Sequence, residues 1–437
     1  MEDLDLRLRA VKPRVAIVGA GWAGLAAAVT LAEQAELTVF EAGREPGGRA
    51  RRVVLDDALL DNGQHILIGA YNECLALMRT VGVDPRKAFL RLPLTWQMVG
   101  GVRMRCPRLP APLHVAVGLL TARGLSLAEK RRLAAALDGL KRANWRVQPD
   151  RPVATWLRET GQNGALTDSF WKPLVLSAMN TPLHLASTAT LARVLADSLG
   201  GRRAASDLLL PRIDLSELFP LPAWRWLAKR GATLYEGCRV RSIVPDGVGV
   251  RVDGRPFDAV IVATAPYHAE PLLEFAPDAQ RAIQTLRFEP IYTVYLRYAR
   301  APRLPSVMTG LAGGMAHWLF ERGALTGEEG LVAAVISAAS NLADWPRQSV
   351  IDKVAADIAK LDPSLGAPLW SRMVVEKRAT FAASVDRQQI KPRLNGIQYG
   401  YLAGDWLDPS YPATLEGAAK SGLAAARALM QEWTRQR

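Results

Sequence analysis

Glycines at a fixed spacing follow the first short apolar run of the chain and form the clearest chemical motif of the sequence. Gly19, Gly21 and Gly24 make a G-x-G-x-x-G pattern, and Glu41 follows twenty residues after Gly21. The first glycine of such a pattern allows a tight turn, the second lets the backbone approach a pyrophosphate, and the third lets a helix lie close to a strand. A carboxylate at the position of Glu41 can hold a pair of ribose hydroxyls. The motif therefore predicts a dinucleotide-binding site.

The elements that position these residues are predicted on both sides of the glycines. The run RVAIV at 14–18 predicts a strand, the alanine-rich stretch at 25–34 predicts a helix, and LTVF at 37–40 predicts a second strand. A strand, a helix and a strand in close succession are the start of a parallel sheet. The N-terminus of the helix offers unpaired N–H groups and the positive end of its dipole to phosphate groups.

A second glycine cluster, EPGGR, ends at Arg49 shortly after Glu41. Together with Glu41 it resembles the E-x-x-x-x-x-G-G-R signature of the FAD-dependent amine oxidase and phytoene desaturase superfamily. The resemblance implies that the dinucleotide is FAD. It also implies that Gly48 allows a close approach, that Arg49 offers a charged fork to the pyrophosphate or the flavin edge, and that the chain around Gly63 passes the flavin ring.

The C-terminal part of the chain carries further motifs of the same superfamily. YLAGD at 401–405 is similar to the superfamily's strand that ends in Gly-Asp, and PATLEGA at 412–418 is similar to the start of its last helix. The resemblance implies that the aspartate reaches the ribityl chain or the pyrophosphate. It also implies that the N-terminus of the last helix stabilises a negatively charged reduced flavin. The further FAD-binding residues that it implies are Val240, Ala263, Gly404, Asp405, Thr414 and Leu415.

The nucleotide-binding elements lie in three separated blocks of sequence. The predicted fold class is α/β, with a Rossmann-like FAD-binding domain assembled from three chain segments; the resemblance implies an inserted α+β substrate domain of the amine oxidase type. The FAD-binding segments are predicted at 13–64, 207–268 and 396–437, and the substrate-domain segments at 65–206 and 269–395. The first inserted segment is mostly helical by its pattern and rich in tryptophan, with few strand signals.

The composition of the inserted sequence favours a long apolar ligand over an amine. Amine oxidases commonly carry an aromatic residue where this chain has Thr414, which disfavours an amine cage. Apolar residues are concentrated in FWKPLVLSAM at 170–179 and in ASDLLLPRIDLSELFPLPA at 205–223. Ordinary core packing is the alternative explanation for this composition. The residues predicted to contact the substrate are Trp171, Leu174, Leu210 and Tyr411.

Several motifs together resemble a narrower family, the bacterial squalene-associated FAD-dependent desaturases or hydroxysqualene dehydroxylases. These motifs are DNGQH at 61–65, FWKPL at 170–174, LLPRIDL at 209–215, GDW at 404–406 and YPATLEGA at 411–418. The resemblance extends over nearly the whole chain. It implies a reduction that belongs to hopanoid and carotenoid synthesis, in which hydroxysqualene loses its hydroxyl group, gains a hydride from reduced flavin and becomes squalene.

Polar residues beside these apolar stretches are the candidates for catalysis, since the reaction needs an acid near the hydroxyl, a dry pocket and a tunnel for a long chain. His65 is the first candidate for supplying the acid or positioning the hydroxyl, because its segment is expected to pass the flavin; a structural histidine is the alternative. Arg212 and Asp214 are the second candidates, and they could instead pair with each other at the domain junction. The face of Trp171 is expected to stabilise developing allylic positive charge.

Two other functions fit parts of the sequence. An FAD-dependent desaturase of the phytoene desaturase type would use the same flavin and the same apolar tunnel, and the sequence does not separate the two redox directions. A prenyl-lipid escort protein would share the fold without using flavin. The intact glycine motif at 19–24, Glu41 and Asp405 argue against this second alternative.

Composition and charge limit the partners of the chain. The 437 residues carry a net charge of +13, and 49% of them are hydrophobic. The basic residues are dispersed and come with no nucleic-acid-binding signature, so no nucleic acid partner is predicted. An anionic bilayer surface is predicted instead, with a solvated basic surface as the alternative. Three scattered cysteines predict a reducing compartment and no metal site.

The expected location follows from the substrate and the charge. No apolar run is long enough to span a membrane, and the first residues do not look like a secretory signal. An isoprenoid substrate that is insoluble in water has to be taken from a bilayer. We therefore expect a cytoplasmic enzyme attached peripherally to the inner membrane, whose flavin is reduced by an unknown electron donor.

Overall fold

The structure, a computed structural model, describes residues 12–436. Its strands are β1 (Arg14–Val18), β2 (Glu36–Phe40), β3 (Arg52–Leu55), β4 (Ala58–Asp61), β5 (Leu67–Ile68), β6 (Phe89–Leu92), β7 (Thr95–Val99), β8 (Arg103–Arg105), β9 (Leu208–Pro211), β10 (Thr233–Tyr235), β11 (Ile243–Asp246), β12 (Gly249–Val252), β13 (Arg255–Phe257), β14 (Ala259–Val262), β15 (Phe288–Arg297), β16 (Met308–Leu311), β17 (Trp318–Glu321), β18 (Leu331–Ile336), β19 (Trp370–Phe381) and β20 (Gly400–Leu402).

Its α-helices are α1 (Trp22–Leu31), α2 (Asn72–Thr80), α3 (Pro85–Ala88), α4 (Leu113–Thr121), α5 (Leu127–Arg142), α6 (Val153–Glu159), α7 (Lys172–Met179), α8 (Thr188–Leu199), α9 (Leu215–Leu218), α10 (Pro220–Ala228), α11 (Pro266–Ala269), α12 (Pro277–Gln284), α13 (Arg322–Thr326), α14 (Arg347–Leu361) and α15 (Leu415–Arg435). Among residues 12–436, no helix combines the length and the apolar character needed to cross a bilayer.

A parallel sheet of five strands, in the order β10-β2-β1-β14-β20, is the centre of the predicted FAD-binding domain. Its strands come from three separated stretches of the chain, as the sequence predicts for a Rossmann-like α/β fold. On β1, Val15 and Ile17 belong to a core formed with α1 and α15, whereas Ala16 and Val18 face a core that includes the β11–β13 meander. Both faces of the sheet are covered, and this explains why β14 is buried at every position.

A second sheet of seven strands, in the order β19-β15-β18-β17-β16-β7-β8, forms the wall of the inserted domain. All its pairs are antiparallel except β16 with β7, which are parallel. Helix α14 packs on one face, against residues such as Val294 and Leu319. Residues that alternate with these, such as Tyr295 and Trp318, point to the opposite face and join the main core. The inserted domain is thus α+β, as the family resemblance implies.

The first inserted segment contains more strand than its sequence pattern predicts. Strands β5 to β8 lie within the stretch predicted as mostly helical. They are only two to five residues long, and β5, β6 and β7 also pair with the sequence-distant strands β9 and β16, so the local pattern does not indicate them. Strand β9, which lies in the predicted second FAD-binding segment, forms a small sheet with β5 and β6 of the inserted sequence.

Candidate active site

One cavity of about 710 Å³ runs from the parallel sheet into the inserted domain. Four of its lining residues come just after the carboxyl ends of parallel strands: Gly19 after β1, Glu41 after β2, Ala263 after β14 and Gly404 after β20. Open parallel sheets bind their ligands at this edge, because the connections after the strands leave a crevice there. The cavity therefore begins where a dinucleotide-binding sheet would hold its cofactor.

The glycine motif shapes this end of the cavity through backbone constraints. Gly19 has a φ of +102°, which residues with a side chain rarely adopt. A Cβ atom on Gly24 would lie 1.9 Å from the carbonyl oxygen of Gly19, so only glycine lets α1 approach β1. Gly21 precedes α1 without a capping side chain, so the first amides of the helix are available to an anion. Gly21 and Gly48 line the cavity, whereas Gly24 lies behind it.

Glu41 is held in place at the end of β2. Its Oε2 accepts the N–H of Ala20 at 2.8 Å and its Oε1 accepts the N–H of Gly43 at 2.6 Å. Each carboxylate oxygen keeps a further lone pair, and the side chain lines the cavity. This arrangement can accept hydrogen bonds from a ribose hydroxyl pair.

Arg49 and Asp405 form an ion pair inside the cavity. The Nη2 of Arg49 donates to both carboxylate oxygens of Asp405, at 2.8 and 2.9 Å, and its Nη1 donates to the carbonyl of Ala379 at 2.8 Å. Burial by itself lowers the pKa of Arg49, but the charge and hydrogen bonds of Asp405, together with Tyr267 and Glu376, more than offset it, so this pKa lies above its ordinary value. The pair therefore joins the first and the last of the predicted FAD-binding segments.

The last helix points its N-terminus at the same cavity. Thr414 precedes α15 and its Oγ1 accepts the N–H of Gly417 at 3.0 Å; Thr414 and Leu415 both line the cavity. The fully buried Glu416 accepts the N–H groups of Glu73 and Cys74, at 3.1 and 3.0 Å, and so ties α15 to α2. The positive end of a 21-residue helix is thereby held against the site.

Unpaired polar atoms in the wall test whether these residues suit a dinucleotide. Within the described part of the chain, Thr264 Oγ1, Thr293 Oγ1, Trp22 Nε1 and Trp406 Nε1 are buried without a hydrogen-bond partner, and all four residues line the cavity. A buried polar atom without a partner is costly in a native protein, and a polar ligand removes the cost. With the glycine cradle, Glu41 and the two helix N-termini, these atoms fit FAD.

The far end of the cavity is apolar. Near the inserted sheet it is lined by Trp96, Phe170, Leu174 and Trp318; Trp96 packs edge-on against Trp318 with ring centroids 5.0 Å apart. The indole N–H groups of Trp96 and Trp318 donate to Ser169 and Ser177, so carbon atoms remain to face the cavity. Further on, the wall consists of Val115, Leu119, Leu133 and Leu137 from α4 and α5. We call this region the apolar arm.

His65 lies in the cavity wall next to Gly63, and Val240 lines the same cavity. The Nδ1 of His65 is 3.1 Å from the carbonyl oxygen of Gly63. A carbonyl can only accept, so Nδ1 carries the proton and Nε2 presents a lone pair when the ring is neutral. Burial lowers the pKa of His65, and the positive charge of Arg49 acts in the same direction, although the Gly63 carbonyl opposes both. His65 is therefore neutral near neutral pH.

Four residues predicted for catalysis or substrate contact lie outside the cavity lining. Arg212 is exposed, and Asp214 caps α9 by accepting the N–H of Glu217 at 3.0 Å. The two do not form the polar pair suggested by the sequence; Asp214 instead lies 3.9 Å from Arg52. Trp171 is fully buried and its Nε1 donates to Gln162, while Leu210 is fully buried within β9. In an apolar run of sequence, the residues that fill the core cannot be distinguished by type from those that line a cavity.

Further polar residues line the cavity, and apart from Tyr411 they carry no local sequence signal. Tyr411, which was predicted to contact substrate, lines the cavity and donates its hydroxyl to Asp197 at 2.7 Å. Tyr71, Tyr267 and Glu376 also line it, and they come from three different elements or loops. Burial raises the pKa of the tyrosines, so their hydroxyls stay protonated and remain donors. Only the fold brings these groups together.

The fold and the site define an FAD-dependent oxidoreductase. A sequence profile described as "Flavin containing amine oxidoreductase" matches residues 22–430, and the chain belongs to this family. The chain is 30% identical to the hydroxysqualene dehydroxylase of Rhodopseudomonas palustris, over 94% of this chain and 97% of that one. It is 28% identical to the enzyme of the same name from Sinorhizobium fredii, over 96% and 98% of the two chains.

A solved structure has the same fold. The cyclohexylamine oxidase from Brevibacterium oxydans superposes with a TM-score of 0.71 over 97% of this chain and all of that chain, at 18% sequence identity. Identity this low supports the fold alone. The resemblance to hydroxysqualene dehydroxylases in the sequence is thus confirmed by relatives that match over nearly their full length.

Proposed function

We propose that this protein is an isoprenoid oxidoreductase that converts hydroxysqualene to squalene by reductive dehydroxylation in triterpenoid synthesis, for hopanoids or carotenoids. The observation that carries the proposal is the single cavity that joins the FAD cradle to the apolar arm. The names of the two relatives with 28% and 30% identity support the choice of substrate and of redox direction.

The proposed reaction exchanges a hydroxyl group for a hydrogen. FAD held by the glycine motif, Glu41 and the Arg49–Asp405 pair would, in its reduced form, supply the hydride and two electrons that the reaction needs. At the substrate the allylic C–O bond breaks, a C–H bond forms, and the departing hydroxyl takes up a proton and leaves as water. An external electron donor has to reduce the cofactor again after each turnover.

The apolar arm binds the hydrocarbon and keeps water from the reacting carbon. Trp96, Phe170 and Trp318 present ring carbons to the cavity, and aromatic faces stabilise positive charge that develops at an allylic carbon. Few nucleophiles can react with the positively charged carbon in the arm, because the wall carries few polar groups.

His65 binds the substrate hydroxyl in this proposal. Its Nε2 lone pair accepts a hydrogen bond from the hydroxyl group, while Nδ1–H stays hydrogen-bonded to the carbonyl of Gly63. His65 can donate a proton to the leaving oxygen only after its own protonation. If it is the acid, turnover rises as the pH falls toward the lowered pKa of His65.

Variants of His65 test this role. In His65→Gln, an amide group near the position of Nε2 keeps a hydrogen bond to the hydroxyl but cannot deliver a proton. His65→Ala removes both functions. If His65 is the acid, both variants lose about 10²- to 10⁴-fold in single-turnover formation of squalene, while FAD content stays the same. If it only positions the hydroxyl, His65→Gln retains most of the activity and the pH profile of the wild type.

A surface variant serves as the control. Arg212→Ala changes an exposed residue outside the cavity lining and should keep the rate within about twofold of the wild type. If His65→Ala retains the wild-type rate as well, His65 has no part in the reaction.

A further inference from the structure

Helix α4 exposes its apolar side. Leu113 and Leu120 are 56% and 68% exposed, and between them Ala116 is exposed and Val117 half-buried. These residues have the i, i+3, i+4, i+7 spacing of one helix face, a spacing that normally turns apolar side chains toward a core. The opposite side of α4 carries the buried residues His114, Gly118 and Leu119. The fold thus leaves an apolar helix face uncovered.

Two more exposed leucines flank α4 in the chain. Leu109, in the loop before α4, is 39% exposed, and Leu127, the first residue of α5, is 66% exposed. Helices α4 and α5 contact each other. We call the surface formed by these residues the α4 face; its members are Leu109, Leu113, Ala116, Val117, Leu120 and Leu127.

The chain segment that contains the α4 face is strongly basic. The sequence has no aspartate or glutamate between Asp84 and Glu129, and Glu129 is bonded to Ser126 in the capping box of α5. Strand β8, which contacts α4, carries two exposed arginines, and its backbone pairs with that of Arg123 just after α4. Lys130 donates to the carbonyl of Leu120 at 2.7 Å. The exposed or partly exposed basic residues beside the α4 face are Arg103, Arg105, Arg108, Arg123, Lys130 and Arg131.

The same elements form the end of the apolar arm on their inner side. Val115 and Leu119 of α4, Leu133 and Leu137 of α5 and Met104 of β8 line the cavity. Only the thickness of these elements separates the cavity from the α4 face. A ligand that is insoluble in water has its shortest route to the arm through this surface.

Other exposed apolar residues lie in different surroundings. Val54 and Leu59 face each other on the β3–β4 hairpin, whose turn contains Asp56 and Asp57. Val248 follows Asp246 in the turn between β11 and β12. At the α4 face, exposed apolar residues therefore lie beside basic residues and on the outer side of the cavity wall. Neither of these two hairpins combines the three features.

We propose that the α4 face inserts into the surface of an anionic lipid bilayer, with the surrounding arginines and lysines against the lipid headgroups. Apolar residues inserted at the headgroup boundary and basic residues around them are the two parts of an interfacial membrane site. A second copy of the chain is a poor occupant, because two identical faces would bring their positive rims together. The use of this route by the substrate rests on the proposed function, whereas the docking itself does not.

Vesicle flotation tests the docking directly. The FAD-loaded protein is mixed with vesicles of phosphatidylcholine, with or without phosphatidylglycerol, and the bound fraction is measured. Wild type should float with the anionic vesicles, and Leu113→Ser, Leu120→Ser and Leu127→Ser should each weaken binding about tenfold. The control is Leu369→Ser, because Leu369 is also 68% exposed but precedes β19, at the opposite edge of the sheet from β8. It should bind like wild type.

Three results would overturn the proposal. Wild type could fail to bind anionic vesicles at low salt, the α4-face variants could bind as well as the Leu369 control, or the wild type could form a dimer in solution that Leu120→Ser dissociates. Retained FAD absorbance in every variant shows that the fold is intact.

A separate assay distinguishes this proposal from the proposed reaction. Turnover of hydroxysqualene is measured from vesicles and from detergent micelles. The α4-face variants should lose activity with vesicles about as much as they lose binding, and should keep it with micelles. If no squalene forms in either assay while flotation behaves as expected, the reaction is wrong and the docking stands.

Discussion

The two ends of the cavity are built in different ways. At the FAD end, backbone geometry determines the residue type: Gly24 has no room for a Cβ atom, and two helices direct their N-termini at the site. In the apolar arm only size and polarity matter, and residues such as Leu119 and Leu137 come from elements far apart in sequence from Trp318. Backbone constraints require particular residues at fixed positions, so the sequence shows a motif. An apolar wall requires only apolar residues, so the sequence shows only an apolar composition.

Loss of the charge at Arg49 should have the largest effect on the FAD end. Arg49→Met leaves the carboxylate of Asp405, which is only 8% exposed, without its cation. We expect the free energy of unfolding to fall by about 3–5 kcal/mol and FAD affinity to fall with it, because an unpaired buried charge is costly. Urea unfolding and FAD titration measure the two effects.

The control is an exposed ion pair of the same domain. Arg14 pairs with Asp258 at 3.1 Å, and its side chain is half exposed. Arg14→Met should cost less than about 1 kcal/mol. Equal losses of unfolding free energy in the two variants would show that burial does not make the Arg49–Asp405 pair more important for stability than the exposed pair.

Acid should destabilise the inserted domain through His317, which precedes the cavity residue Trp318. The N–H of Ser337 donates to its Nδ1 at 3.0 Å, and burial lowers its pKa from 6.5 to about 4, with the charge of Lys172 acting in the same direction. Between pH 6.5 and 4, His317 is therefore protonated in the unfolded chain but remains neutral in the folded protein. Stability should fall as the pH drops through this window, by up to about 3 kcal/mol at pH 4.

Replacing His317 by asparagine isolates this contribution. An asparagine oxygen can accept the Ser337 N–H and does not titrate. The difference in unfolding free energy between the wild type and His317→Asn should change between pH 6.5 and 4 and be constant above pH 7.5. Parallel pH curves would mean that His317 is protonated in the folded protein as easily as in the unfolded one.

Gly24→Ala tests the close approach of α1 and β1. Its methyl group would have to displace the Gly19 carbonyl, so we expect a loss of about 1–3 kcal/mol and a visible drop in bound FAD. Gly139→Ala in α5 is the control, since a Cβ atom there meets nothing within 4 Å. Alanine should stabilise that helix slightly. Full FAD content in Gly24→Ala would contradict the assigned role.

The sequence predicts much of the FAD end and little of the arm. Strand β1, and a dinucleotide site at its carboxyl end, follow from a local run and the glycines after it. Trp171 and Leu210 were expected in the arm but fill the core, because burial against protein and burial against a ligand select the same side chains. Tyr71, Asp197 and Glu376 reach the cavity only through the tertiary fold, so no spacing in the sequence reveals them.

Replacing Asp214 should have the smallest effect, because its side chain stabilises a helix and takes no part in the reaction. Its carboxylate caps α9, so Asp214→Ala should cost about 1 kcal/mol of stability and leave squalene formation unchanged. Asp214→Asn should restore most of the stability, because asparagine is an equally good cap. Thermal unfolding and single-turnover rates test both statements. A large loss of turnover at unchanged FAD content would show that Asp214 takes part in the reaction.

The direction of the reaction is tested most directly by anaerobic single turnover in D₂O. The exchangeable hydrogen of the reduced flavin is then deuterium, and hydroxysqualene is the only substrate added. We predict squalene that carries a single deuterium at the carbon that bore the hydroxyl, together with return of the oxidised flavin absorbance. Recovery of unchanged hydroxysqualene with the flavin still reduced, or a more unsaturated isoprenoid formed by the oxidised enzyme, would contradict the proposed function.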